Sequence, residues 1–325
     1  MGAQTPDRRG LIAGLAALGA AAPVGLRAAI VEIGQSASRL QELPDPDKTT
    51  SGYEPPTRLT AVLDIYKRMT GAVLVAGAGP FPFVADTGAN QSVISAELAA
   101  KLGLELGEAQ ALNGVAGVQM TPTVKTRLQI GNRLARDAKL SVLGAEAIGG
   151  PGMLGLDLLD GGQLTFDFRR QTLTIDSGAY MPGDGDEVAL KAHRRDGQLT
   201  LVDADLAGIK VTAFLDSGAQ DTIGNMALRE LAVSRYPLTP FQPIPIVSVT
   251  GQTIDAQFAD LPGLRIGGLS VPNWPVAFAD LHTFKLWDLV SRPAILIGVD
   301  ILSRFETVCL DFRRDEVRLR LPAHT

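Results

Sequence analysis

The chain has 325 residues, of which 46% are hydrophobic and only 5% aromatic, and its formal net charge is −5 with a pI near 5.3. This length suggests two domains, with cores built from Val, Leu, Ile and Ala. The acidic balance argues against a nucleic-acid partner, and the 35 Gly and 20 Pro favour an all-β chain with many turns.

The first 28 residues resemble an export signal. Arg8-Arg9 precedes an apolar stretch from Leu11 to Leu26, and a paired Arg before a modest apolar segment is typical of twin-arginine export. The expected location is therefore periplasmic or secreted. Two alternatives stay open: an uncleaved inner-membrane anchor, which would hold the protein near a membrane, and a mis-started N-terminus. Residues 29–56 are polar and contain four Pro, which predicts a flexible linker or, alternatively, a propeptide.

The next segment predicts a hairpin that ends in an Asp-Thr-Gly-Ala motif at Asp86–Ala89. Apolar residues 72–77 and 81–85 predict two strands around a Gly77–Pro80 turn, and a short helix is expected over 96–102. One Asp-Thr-Gly is weak support for catalysis, because polar turns contain it often. Asp86 could simply cap the turn that follows it.

The same pattern returns in the second half of the chain as Asp216-Ser217-Gly218-Ala219. It again follows a predicted hairpin, 199–206 and 209–215 around Ala207-Gly208, and again precedes a predicted helix, 226–232. Two copies in matching surroundings are much harder to obtain by chance than one. The pair favours a carboxylate dyad over two independent turn caps.

The repeat continues downstream of both motifs. Met153-Leu154-Gly155 matches Leu296-Ile297-Gly298, with a short helix expected after each Gly, and residues 164–170 match 308–314. An internal repeat of this length predicts two similar lobes related by an approximate twofold axis. A polar stretch near 177–187 marks the expected boundary between them.

These motifs resemble the retropepsin-like aspartic proteases of bacteria, with two lobes in one chain. The resemblance spans residues 70–321 and implies an all-β fold, with lobe 1 at 57–181 and lobe 2 at 182–325. It implies that Asp86 and Asp216 meet at the bottom of a cleft and share one proton. It also implies that two hydroxyls hydrogen-bond across the lobe junction. The residues expected to support the dyad are Thr87, Gly88, Ala89, Ser217, Gly218 and Ala219.

A substrate-binding flap is expected from each lobe, because each carries a turn of small residues between apolar strands. The candidate flap residues are Gly114, Val115, Ala116 and Gly117 in lobe 1, and Val249, Thr250 and Gly251 in lobe 2. Residues 272–293, which contain Trp274 and Trp287, form an insertion without a counterpart in lobe 1. We interpret it as a lid or cleft wall, or alternatively as a surface excursion with a small core of its own.

The remaining reactive side chains do not form a motif. Cys309 is the only cysteine and is expected to be a buried small hydrophobe, while the three His lack metal-ligand spacing, so no metal and no cofactor are expected. Gly150–Gly155 spells G-x-G-x-x-G, but it contains Pro151 and lacks a long βαβ context.

Two hypotheses about function follow from the sequence. The first is an exported, monomeric aspartic endopeptidase that acts on protein or peptide substrates. The second is a non-catalytic module that kept the fold and holds a peptide in its cleft. Both aspartates and both neighbouring hydroxyls are present, which favours the enzyme.

Overall fold

The structure is a computed structural model that describes residues 56–159, 162–176, 187–195, 198–238, 240–266, 269–271 and 273–322. The predicted export signal, the linker apart from residue 56, and nearly all of the predicted lobe boundary lie outside the described residues. Among the described residues, no helix is both long and apolar enough to cross a membrane.

The described chain consists mainly of strands, which confirms the predicted all-β class. The strands of residues 57–176, the first half, are β1 (Thr57–Leu63), β2 (Met69–Val75), β3 (Ala78–Ala85), β4 (Val93–Ser95), β5 (Leu106–Gly114), β6 (Gly117–Ile130), β7 (Arg133–Leu143), β8 (Gly152–Leu154), β9 (Gln163–Asp167) and β10 (Thr172–Asp176). Those of residues 187–322, the second half, are β11 (Glu187–Arg195), β12 (Gln198–Leu206), β13 (Ile209–Leu215), β14 (Ile223–Gly224), β15 (Gln242–Val247), β16 (Thr253–Leu261), β17 (Leu264–Ile266), β18 (Leu269–Ser270), β19 (Trp274–Phe278), β20 (Ala294–Ile297), β21 (Thr307–Asp311) and β22 (Glu316–Arg320).

Short helices fill the connections between these strands. They are α1 (Ala96–Lys101), α2 (Ala145–Ile148), α3 (Leu156–Leu159), α4 (Met226–Arg235), α5 (His282–Leu286) and α6 (Val299–Leu302). The helices predicted after each Asp motif and after each apolar-apolar-Gly element are confirmed as α1, α4, α3 and α6. Ser95 caps α1 by accepting from the Leu98 N–H at 3.0 Å, and Asn225 caps α4 by accepting from the Leu228 N–H at 2.8 Å.

A six-stranded antiparallel sheet joins the two halves, in the order β1-β10-β9-β21-β22-β11. At its centre, β9 pairs with β21, and Thr165 lies opposite Cys309. Cys309 is buried, as expected. The matched segments 164–170 and 308–314 therefore supply the strands through which one half is bonded to the other.

Each half also contains parallel strand pairs outside this six-stranded sheet. In the first half, β3 lies parallel to β8 and β4 lies parallel to β7. In the second half, β13 lies parallel to β20 and β14 lies parallel to β19. The largest apolar cluster runs through both halves and includes Phe83, Phe166 and Phe278. These parallel pairs place the ends of β3 and β13, and hence both Asp motifs, in the interior.

Two details differ from the sequence prediction. The turn between β2 and β3 contains only Ala76 and Gly77, both at positive φ, because a two-residue turn of this kind matches the twist of its strands. Residues 272–293 are also not wholly an insertion. Trp274 begins β19, which pairs with β14 and β16, and Trp287 packs in the core against Phe214 instead of forming a separate core.

Candidate active site

Asp86 lies where β3 leaves the sheet. The last residues of β3 are buried, and Ala85 lies opposite Leu154 of the parallel strand β8. The Asp86 N–H continues this pairing by donating to the Leu154 carbonyl at 2.9 Å. The chain then turns so that the Gly88 N–H donates to Oδ1 of Asp86 at 2.7 Å. The strand and its turn thus hold the Asp86 carboxyl in a buried, fixed position.

Asp216 lies at the end of β13 in a loop with similar bonds. Its N–H donates to the carbonyl of Ile297 in the parallel strand β20 at 3.0 Å. The N–H groups of Gly218 and Ala219 donate to Oδ1 of Asp216 at 2.9 and 3.0 Å. The repeated sequence therefore gives two loops that present a carboxyl in the same way.

The carboxyls of Asp86 and Asp216 are hydrogen-bonded to each other. Each is also in close contact with the glycine of the opposite loop. A Cβ on Gly88 would collide with the carboxyl of Asp216, and a Cβ on Gly218 would collide with the carboxyl of Asp86. Glycine is required at both positions because only a residue without a Cβ leaves room for the partner carboxyl.

Four hydrogen bonds made by two hydroxyl groups join the halves beside the dyad. The hydroxyl of Thr87 bonds to the loop of Asp216, and the hydroxyl of Ser217 bonds to the loop of Asp86. Thr87 Oγ1 donates to the Leu215 carbonyl at 2.8 Å and accepts from the Ser217 N–H at 3.0 Å. Ser217 Oγ donates to the Ala85 carbonyl at 2.8 Å and accepts from the Thr87 N–H at 3.1 Å. Since all four bonds are buried, the hydroxyls fix the distance between the two aspartates.

The surroundings raise the pKa of both carboxyls. Burial raises the pKa of Asp86, whereas the Gly88 N–H, the hydrogen bond with Asp216 and the positive charge of Arg68 oppose the rise. Burial raises the pKa of Asp216 well above its usual range, and the nearby charge of Asp86 raises it further. Two adjacent buried carboxyls cannot both ionise, so the pair holds one proton between them.

Neither aspartate is needed as a helix cap, the alternative role considered from the sequence. The helices that follow the two motifs, α1 and α4, have their own caps in Ser95 and Asn225. The two carboxyls accept N–H bonds within their own loops and share one hydrogen bond with each other.

A second polar contact in the first half was not predicted from the sequence. Ser92 Oγ donates to Oδ1 of Asp157 at 2.7 Å and accepts from the Gly155 N–H at 2.9 Å. A Cβ on Gly155 would be only 2.8 Å from the carbonyl oxygen of Ala89, which explains the glycine of the apolar-apolar-Gly element. The contact locks the loop after Asp86 onto the turn between β8 and α3.

The second half has the same contact with one addition. Thr222 Oγ1 donates to Oδ1 of Asp300 at 2.8 Å and accepts from the Gly298 N–H at 3.1 Å. Trp274 Nε1 donates to Oδ2 of Asp300 at 2.7 Å. The signal for this contact was present in the sequence, because a Ser or Thr follows each Asp by six positions and an Asp follows each Gly by two.

Asp221 is a carboxyl without a matching acid in the first half, where Gln91 takes its place in the repeat. Its Oδ2 is buried and makes no hydrogen bond to any described residue. Burial, followed by the negative charge of Asp300, raises the pKa of Asp221 to about 7. The fold therefore disfavours the charged form of Asp221 at neutral pH.

We expect Asp221→Asn to stabilise the protein more at pH 8 than at pH 4. The folded pKa lies above the unfolded value of 3.8, so wild-type stability falls as the pH rises from 4 through 7, and Asn removes this loss. Three pKa units set a ceiling of about 4 kcal/mol, and partial solvent contact reduces the gain to roughly half of that. Denaturant unfolding at both pH values measures it, with the exposed Asp255→Asn as control. An equal gain at both pH values would contradict the assignment.

The predicted flap residues lie at two hairpin tips that meet each other. Residues 114–117 form the turn between β5 and β6, the first flap, and residues 248–252 form the turn between β15 and β16, the second flap. A Cβ on Gly114 would lie 2.9 Å from the hydroxyls of both Ser248 and Thr250. The structure therefore brings together the two sets of residues that the sequence assigned to flaps.

Each flap tip packs against the opposite half. Val115 of the first flap contacts the second-half cluster that contains Phe214 and Ala219. Val249 of the second flap contacts the first-half cluster that contains Val84. Phe214 and Ala219 lie on either side of Asp216, and Val84 lies two residues before Asp86, so each flap tip packs on a cluster that includes residues near one aspartate.

Residues 72–161 match the model of the family described as gag-polyprotein putative aspartyl protease. This stretch is a retropepsin-like aspartyl protease domain and contains Asp86, the first flap and Gly155. The predicted resemblance is confirmed there. A search of curated proteins found no match. The family match ends before β9, and the second half enters the site through its contacts with the first.

Proposed function

We propose that this protein is an aspartic endopeptidase that hydrolyses peptide bonds in protein substrates with water activated between Asp86 and Asp216. The observation that carries the proposal is the hydrogen-bonded pair of buried carboxyls, one from each half. Because this pair holds one proton, it offers an acid and a base at one point. The aspartyl protease domain at residues 72–161 supports the same reaction class.

In the proposed reaction, a water molecule binds between the two carboxyls. The charged member of the pair takes a proton from this water, and the protonated member donates the shared proton to the scissile carbonyl oxygen. The water oxygen bonds to the carbonyl carbon and gives a tetrahedral diol. The diol collapses when one of its hydroxyls gives its proton to the ionised carboxyl, the C–N bond breaks, and the leaving amine takes the proton held by the other carboxyl, so the pair again holds one proton. The reaction needs no covalent intermediate and no cofactor.

We also propose that the halves are two lobes related by an approximate twofold axis, with lobe 1 at 57–181 and lobe 2 at 182–325. Matching parallel pairs, β3 with β8 and β13 with β20, support this relation. The reciprocal hydrogen bonds of Thr87 and Ser217 support it as well. A monomer then carries both aspartates, and an extended peptide would lie between the dyad and the two flaps.

A peptide library tests the proposed activity. Incubation with the purified chain should create new termini at internal positions, with a preference visible in the residues on either side of the cleaved bond. Mass spectrometry of the products measures this preference. Peptides that bind without being cleaved at any pH would instead support the peptide-binding module.

We expect the optimum pH of the wild type to be mildly acidic to near neutral. Ala89 and Ala219 follow the two glycines of the dyad loops, so neither side chain can donate a hydrogen bond that lowers the pKa of an aspartate. Ala89→Thr supplies such a hydroxyl beside Asp86. It should therefore shift the rate profile toward acid by about half a pH unit.

Ala89→Val is the matched control for this experiment, because it has the shape of Thr without the hydroxyl. The comparison measures kcat/KM against pH for the wild type and both variants. A wild-type optimum in strong acid, or the same profile for the Thr and Val variants, would refute the role of these alanines.

We further propose that the protein acts outside the cytoplasm, on the basis of Arg8-Arg9 and the apolar segment after them. Replacing both arginines with Lys should retain the protein in the cytoplasm if the twin-arginine route exports it. Cell fractionation with an antibody to the chain measures the distribution. Unchanged fractions in the Lys variant would exclude this route, and a wild type found only in the cytosol would exclude export.

A further inference from the structure

A backbone hydrogen bond ties the first flap to the second half. The His282 N–H, at the first residue of α5, donates to the Val115 carbonyl at the flap tip at 2.7 Å. The N–H groups in the first turn of a helix have no partner within the helix, so this one is available to the flap. The bond joins the tip of the first flap to α5, a helix of the second half.

We propose that α5 is a latch that holds the first flap closed, so that the two flaps open unequally. The latch concerns how a substrate enters the cleft, and the proposal therefore rests on the proposed endopeptidase function. Its consequence is that a peptide substrate gains entry mainly by displacing the second flap.

The segment that carries the latch is anchored in the core. Leu281 and Phe284 are fully buried, and Trp287 stacks on Phe214 with ring centroids 4.1 Å apart. Phe214 lies two residues before Asp216 in β13. A flap bonded to α5 is thus held by a rigid element that also supports the second aspartate, and opening it requires the loss of both the bond and the packing of Val115.

The second flap lacks an equivalent bond. Val249 packs on the first-half cluster, as Val115 does on the other side. However, among the described residues no backbone hydrogen bond joins 248–252 to α2, the helix that takes the place of α5 in the first half. α2 ends at Ile148, and its own first N–H, that of Ala145, donates to the Glu97 carboxylate at 2.9 Å. Within the part of the chain that the structure describes, the second flap is connected to the opposite half by the packing of Val249.

The backbone around His282 permits a test that removes only the latch bond. His282→Pro eliminates the N–H donor, and Pro suits the first position of a helix. The preceding Leu281 has φ −62° and ψ 147°, which is the conformation that a residue before Pro prefers. His282→Ala is the matched control, since it removes the side chain and keeps the N–H.

Hydrogen–deuterium exchange of the full-length protein without substrate measures the opening of both flaps in one experiment, from the exchange rates of peptides that cover each flap. We expect exchange in peptides covering the first flap to rise about fivefold in His282→Pro, the effect of one net backbone hydrogen bond, and to stay near wild type in His282→Ala. The second flap should be unchanged in both variants. Equal exchange in the Pro and Ala variants, or acceleration of both flaps together, would overturn the latch.

A second pair of variants covers the case in which His282→Pro does not fold. Val115→Ser and Val249→Ser remove the apolar anchor of each flap in turn. Because the first flap keeps its bond to α5, its exchange should accelerate less in Val115→Ser than that of the second flap in Val249→Ser. Equal acceleration would overturn the proposal. All of these readouts are independent of catalysis, so a lack of peptidase activity would refute the proposed function and leave the latch result standing.

Discussion

Asp86→Asn and Asp216→Asn should each abolish peptidase activity while leaving the protein folded. Asn nearly matches Asp in shape, but it cannot hold or exchange the proton that the pair shares. Either variant removes both water activation and acid assistance, which predicts a loss of roughly 10³-fold or more in kcat. Peptide cleavage under saturating substrate measures the loss, and circular dichroism checks the fold.

The stability of these two variants gives a second readout. The fold raises the pKa of both carboxyls above the unfolded value of 3.8, so the pair destabilises the wild type increasingly as the pH rises above that value. The free energy of unfolding of each Asn variant, relative to that of the wild type, should therefore be higher at pH 8 than at pH 4. Asp221→Asn is the matched activity control, because it changes a carboxyl five residues from Asp216 and should keep cleavage. Substantial activity in a folded Asp86 or Asp216 variant would exclude the mechanism.

Local pattern plus repetition encodes the features of the candidate site that the sequence could suggest. Asp86 and Asp216 could be identified because each follows an apolar strand and opens the same type of loop. The helices α1 and α4 could be placed because local capping residues, Ser95 and Asn225, start them. These sequence patterns depend on residues close together in the chain, and each of them occurs once in each half.

The contacts that the sequence did not predict depend on residues far apart in the chain. The bond between His282 and Val115 and the stack of Trp287 on Phe214 lack a counterpart in the repeat, so no second copy pointed to them. Asp221 was missed for a different reason. The unusual feature of this carboxyl is its unpaired, buried oxygen beside Asp300, and only the packed chain creates that environment.

Thr87→Val should destabilise the protein by about 2–6 kcal/mol and also slow catalysis. Val keeps the shape of Thr but leaves the Ser217 N–H and the Leu215 carbonyl buried without the partner they have in Thr87 Oγ1. Each orphaned group costs about 1–3 kcal/mol. The dyad loops would then lose part of the fixed spacing that brings the two carboxyls into hydrogen-bonding contact.

Thr87→Ser is the control that isolates the hydroxyl. The second half already uses Ser217 at the corresponding position, and its Oγ makes both bonds of the same type. Thr87→Ser should therefore retain most of the stability and activity, whereas Val should lose both, as measured by urea unfolding and by kcat. A Val variant as stable as the Ser variant would show that the other contacts between the halves hold them together without the Thr87 hydroxyl. In that case the aspartates would keep their spacing without the hydroxyls, and Val would also leave kcat unchanged.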